Sequence, residues 1–172
     1  IRTFDDLLEV LARSPYQRVI GRFRPSGIHH IIDITSCEAA LFSLYFETAL
    51  SIVDRDYSGK TRQDLRSLLL FQMSVHNITV ILRMRRYLNA PPDMIRPRVV
   101  VVKGAPNRLT QKILNAPDLD TAHKLVNQAA ILRKRPVDWE QNARQLSLRM
   151  AEAKRDATRK LFRYSTHPEV VV

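Results

Sequence analysis

Leu65–Arg86, LRSLLLFQMSVHNITVILRMRR, carries no charge from Ser67 to Leu82 and then closes on Arg83, Arg85 and Arg86. A helix this apolar has to be buried. A bilayer span needs about 20 predominantly apolar residues, and this run is interrupted by Gln72, Ser74, His76, Asn77 and Thr79. It is too short and too polar for that role and reads as the central helix of a soluble domain.

The sequence on either side repeats the helical pattern. Thr61 and Asp64 stand where a cap for the central helix belongs. Upstream, Thr35 and Glu38 match the capping box S/T-x-x-E directly before AALFSLYFETALSIV, where Leu41, Leu44, Tyr45, Ala49, Ile52 and Val53 recur with a period of 3.6 residues. Only the turn Asp54–Gly59 separates these two helices, so they are expected to be antiparallel neighbours. Nearer the start, Thr3 and Asp6 form an acidic capping box, and Phe4, Leu7, Leu8 and Leu11 continue as a helix to about Arg13. Ser14-Pro15 ends it, because proline clashes with a continuing helix, and Tyr16–Phe23 reads as one more short helix.

Downstream, Asn89-Ala90-Pro91-Pro92 and Pro97 end the central helix and open a connector. Val99–Val102 is strand-like, but a lone strand cannot satisfy its own ladder, so it is expected as an extended segment packed on helices. Helical patterns resume at about Asn107–Leu114, Leu119–Leu132 and Val137–Phe162. FDDLLEVLARSPY and DLDTAHKLVNQAAI share length and apolar spacing, a faint echo of the kind that helical-pair repeats produce.

Composition agrees with an all-α fold: 172 residues, 45% hydrophobic, only four glycines, and many strong helix formers. The expected architecture is a helical bundle of repeated subdomains, residues 1–98 and then 99–172. The chain begins at Ile1 and stops inside Val170-Val171-Val172, so the second subdomain is expected to be cut short within a longer polypeptide. One cysteine, Cys37, excludes a disulfide framework and a cysteine zinc cluster and suits an intracellular chain.

No catalytic or cofactor motif is present. His29 and His30 are adjacent and so point apart, and His76, His123 and His167 lack the i, i+4 partner that zinc helices use. There is no phosphate loop, dinucleotide fingerprint or nucleophile elbow, so no cofactor and no metal are expected. His76 and Asn77 are candidate structural polar residues, since a buried polar side chain without a hydrogen bond costs about 1–3 kcal/mol.

A net charge of +11 favours acidic partners: nucleic acid, anionic lipid or an acidic protein face. The candidate contacts are Arg83, Arg85 and Arg86, then Arg96 and Arg98, then Arg133, Lys134 and Arg135, with Lys154, Arg155, Arg159, Lys160 and Arg163 beyond. Cations at a helix C-terminus also interact with the helix dipole. Aromatics are only 7% of the chain, which suits an acidic protein or phosphate surface better than base stacking. The alternative class is a basic helical nucleic-acid-binding or scaffold module.

Three stretches in order resemble the central-stalk C subunit of V-type and A-type rotary ATPases, called subunit d in the vacuolar enzyme. Phe4–Tyr16 is similar to the family's opening helix with its Leu-x-x-(Thr/Ser)-x-Tyr ending, and Cys37–Leu50 to the long helix that follows. Asn77, Ile78, Ile81, Leu82 and Arg83 fit the family's Asn-(Leu/Ile)-x-x-(Ile/Leu)-Leu-Arg segment, with Ser74 where the family usually has Asp and Arg85 where it often has Lys. The resemblance implies a non-catalytic piece of a funnel-shaped, all-helical rotor subunit. Its implied partners are the central shaft and the membrane rotor ring, its implied place is cytoplasmic and peripheral on the membrane, and it implies neither nucleic-acid binding nor a transmembrane segment of its own.

Overall fold

Short polar side chains start the first helix. Thr3 Oγ1 accepts from the Asp6 N–H (3.1 Å) and the Thr3 N–H donates to the Asp6 carboxylate (3.2 Å), a complete capping box at α1, Phe4–Val10. The computed structural model describes residues 2–25, 33–105 and 107–129, with helical positions at 151, 152, 155, 156, 158 and 159. α1 stops three residues short of Arg13, and α2 is Tyr16–Gly21. Gln17 donates to the Leu8 carbonyl (3.2 Å), and Arg24 pairs with Asp5 (2.6 Å) while lying over the Phe4 ring, so the two short helices are tied to each other.

The long helices α3, Ile34–Asp56, and α4, Gly59–Leu88, are antiparallel, as their short connection requires. Asp54 binds Arg66 and the Phe42 ring lies against His76, so positions rise on one helix as they fall on the other. The caps differ from the expected ones. Asp33, not Thr35, caps α3 by accepting from the Ser36 N–H (3.0 Å), because a carboxylate at the preceding position reaches the first turn first. α4 begins at Gly59, ahead of Thr61, which is buried in its first turn. Gly59 sits at φ 58°, a conformation open to glycine, and this lets two long helices join through so short a link.

α4 has 30 residues, so shortness is no reason to keep it out of a bilayer. By length and composition, α3 and α4 are each long and apolar enough to cross a membrane. In this fold they instead pack on each other and on the segments that follow. Asn89 ends α4 in the left-handed region (φ 46°), and the Ala90 N–H returns to the Met84 carbonyl (3.2 Å).

The prolines after α4 start structure as well as ending it. Pro92 opens a single turn, α5, Pro92–Ile95, which continues into a 3-10 turn at Arg96–Arg98 that the sequence pattern did not signal. Val99–Val102 is then extended, as expected, with Val99, Val100 and Val102 buried and Val101 outward. α6 is Arg108–Leu114 and α7 is Leu119–Gln128, capped by Asp118. Every regular element among the described residues is helical, so the fold is all-α.

The extended segment feeds two cores. Val100 and Val102 join Phe46, Leu50 and Met73 between α3 and α4. Val99 and Ile95 join Ile78, Ile81 and Leu82 of α4 with Ile113, Leu114, Ala122 and Val126 of α6 and α7. α4 is therefore common to both cores, and residues on either side of position 98 share one of them.

Asn77 is fully buried. Its Nδ2 donates to the Val100 carbonyl and its Oδ1 accepts from the Val100 N–H, each at 2.9 Å. Asn77→Ala leaves both buried backbone groups unpaired and is expected to lower stability by about 2–6 kcal/mol, at about 1–3 kcal/mol per unsatisfied group. Denaturant unfolding of the full chain measures this, and a loss under a few tenths of a kcal/mol would show that the pair holds nothing.

Candidate interaction surface

Arginines three positions apart on a helix share a face and those one or two apart do not, and the three at the end of α4 divide accordingly. Arg83 and Arg86 are exposed, and Arg85 turns inward. Arg85 Nη2 donates to the Leu114 carbonyl (2.6 Å) and the Ala116 carbonyl (2.7 Å), while Nη1 donates to the Asp118 carbonyl (3.3 Å). One guanidinium thus closes the α6–α7 corner against α4, using carbonyls at the C-terminal end of α6, where the helix leaves acceptors unpaired. Burial lowers the pKa of Arg85, with Asp118 acting in the opposite direction. Its Nε is buried without a hydrogen-bond partner.

Arg98 is similarly occupied. It donates to the Met94 carbonyl and to Asp33 (2.8 Å), so it joins the start of α3 to α5. Burial acts to raise the Asp33 pKa, and the bonds from Ser36 together with Arg98 outweigh it, holding the carboxyl below its ordinary value. Arg96 is exposed and lies 3.8 Å from Asp93. Arg133, Lys134 and Arg135 lie outside the described residues, as do His29, His30, His167, Lys154, Lys160 and Arg163.

His76 and Asn77 are adjacent but differently placed. Asn77 faces the valine segment, whereas His76 is half-buried with its ring 4.4 Å from that of Phe42. Burial pushes the His76 pKa down, against Glu38. His123, on α7, is buried beside Asp120 and Arg86, and burial drives its pKa down to about 4. Sequence reasoning set His123 aside because its spacing matched no metal site, and its burial depends on α7 docking on α4. Ser43 was missed too: its hydroxyl accepts from the Val101 N–H (3.4 Å) while donating to the Ala39 carbonyl (2.8 Å). Among the described residues, no group of three His, Cys, Asp or Glu side chains is placed to hold a metal ion.

The geometry offers a tightly clipped helical body with cations on the outside at one end. The family model described as ATP synthase (C/AC39) subunit matches residues 1–172. No curated protein and no solved structure matches the chain.

Two outcomes test the internal contacts. Arg85→Met removes three charge-assisted bonds and is expected to cost about 2–3 kcal/mol in denaturant unfolding, with Arg85→Lys recovering part of it. His76 and His123 both titrate below the unfolded value of about 6.5, so under that pH the unfolded chain binds more protons than the folded one. Stability present above pH 6.5 is therefore lost as pH falls toward about 4. Melting temperature read across that window shows the decline, and His123→Gln flattens it.

Proposed function

The chain belongs to the ATP synthase (C/AC39) subunit family, and from that membership we propose that it is a non-catalytic central-stalk subunit of a V/A-type rotary ATPase. On this reading it couples the central shaft to the membrane rotor ring during proton or sodium transport, as a cytoplasmic, peripheral part of a membrane complex. The family match along the whole chain carries the proposal. Residues 1–98 and 99–172 are then successive helical subdomains of one body built on α4.

The physical requirements of that role agree with the packing. A part that transmits torque has to deform little under load, and close-packed interiors transmit strain. α4 is held by apolar contacts to α3, α6 and α7 and by the polar clips from Asn77 and Arg85. The exposed cations Arg83, Arg86 and Arg96 are the candidate contacts with acidic faces of the shaft or ring, where complementary charge sets orientation and association rate. A basic nucleic-acid-binding module rests on net charge alone and has no further observation in its favour.

The test is association. The tagged chain, expressed in its native cells, is expected to copurify with the membrane ATPase and to dissociate as salt rises. Its affinity for DNA or RNA at physiological salt should be no more than that of any cationic protein. Copurification with nucleic acid in place of the ATPase would overturn the reading, and association with the ATPase that ignores salt would remove the arginines from it.

A further inference from the structure

α4 carries no charge on any side from Ser67 to Leu82, yet the valine segment covers only one side of the α3–α4 pair. Val100 bonds Asn77 of α4 and the Val101 N–H bonds Ser43 of α3, so those two residues mark that side. At 3.6 residues per turn, nine positions are two and a half turns. Ile52 therefore points away from Ser43's side, and Leu68 away from Asn77's. Tyr45, seven residues before Ile52, shares its face on α3, and Leu65, Gln72 and Thr79 share that of Leu68 on α4.

Two helices packed side by side leave a groove between them on this second side, and its α4 wall is uncharged. Leu65 and Leu68 belong to neither core, yet both are half-buried. The Thr79 hydroxyl turns back to the Val75 carbonyl (2.8 Å), as it would in apolar surroundings. Tyr45 and Ile52 on the α3 wall are 47% and 41% exposed. A helix without charge all round calls for cover all round.

The chain itself carries a matching stripe. Trp139, Leu146, Met150 and Leu161, with Ala143, Ala153 and Ala157 between them, recur at helical intervals of three and four. The described positions 151, 152, 155, 156, 158 and 159 are helical and all lie off that stripe; five of the six are exposed and Glu152 is half-buried. We propose that segment 139–161 lies along the groove as a third helix, with its stripe seated between Tyr45 and Ile52 of α3 and Leu65, Leu68 and Gln72 of α4.

Length and tether favour this occupant. At 1.5 Å per residue the groove runs about 21 Å from Leu65 to Thr79 and the stripe about 33 Å, enough to cover it. Eleven residues lead from Gln128, at the end of α7, to Trp139, and they reach about 36 Å when extended, against a helix diameter of about 10–12 Å. α7 packs on α4, so the segment starts within reach of α4's other side. Its alanines let a third helix approach closely where the groove walls carry large side chains, and the tether supplies an effective concentration that no free partner has. A second copy of the chain would bring only its own Tyr45 and Ile52 to this face and leave both stripes uncovered. Residues beyond 98 would then complete the packing of α3 and α4, independently of what the protein attaches to.

Trp139 is the only tryptophan in the chain, so its fluorescence in the full-length chain reads the docking directly. Its emission is expected to be blue-shifted from that of the unfolded chain, shielded from acrylamide, and unchanged on dilution. Tyr45→Lys with Ile52→Lys, at positions outside both cores, is expected to shift the emission to the red and raise quenching while far-UV circular dichroism keeps its helical shape. Val10→Lys, at a 68% exposed site on α1, serves as control and should leave the emission in place. Leu146→Lys with Met150→Lys gives the same red shift from the other side of the contact and decides the matter if the groove variant fails to fold. Emission like that of the unfolded chain, or groove and segment variants that leave it unmoved, would overturn the proposal. A blue shift that appears only at concentrations where the chain dimerises would overturn it in favour of a second copy.

Discussion

The pairing of Asn77 with Val100 answers two otherwise unfavourable demands with one geometry. A side-chain amide presents one donor and one acceptor side by side, as a neighbouring strand would. Val100 has no neighbouring strand among the described residues, and Asn77 is fully buried. Each would be costly alone, since an unsatisfied buried group carries its full desolvation penalty. Together they satisfy each other across 23 positions of chain.

The rest of the architecture follows from where that pairing holds the valine segment. With Val100 fixed on α4, the alternation of an extended chain sends Val100 and Val102 toward α3. Val99 falls into the second core with α6 and α7. Val101 faces outward, and its N–H finds Ser43 on α3. A four-residue stretch with no sheet thereby links four helices, and α4 becomes the element that all of them share. One helix thus lines two cores in succession along its 30 residues.

Local chemistry was legible in the sequence wherever a contact spans a single turn. The Thr3–Asp6 box, the proline break after α1, the antiparallel long pair and the extended valines follow from spacing and need no tertiary information. Thr35 and Glu38 misled because a better cap, Asp33, stands two positions ahead and the pattern alone does not rank them. Pro92 was read as a breaker although its fixed φ suits the first position of a helix equally well. Asn77 was recognisable as needing a partner, but the identity of that partner is a tertiary fact. Helical spacing sets Arg85 on a different face from Arg83 and Arg86, but only the position of the α6–α7 corner decides which of the two faces turns inward.

That separation bears on how charge is used. Arg85 and Arg98 bond carbonyls and Asp33 of the body itself at hydrogen-bond distance, well inside a Debye length. Arg83, Arg86 and Arg96 stand in water, where at physiological salt the Debye length of about 8 Å screens any interaction that is not close. The two sets therefore respond differently to the same change. Added salt weakens what the outer arginines attract, whereas the inner ones keep holding α3 to α5 and α4 to the α6–α7 corner. A body that must stay stiff while its attachments form and release can be built from a single residue type, provided the fold decides which copies face water.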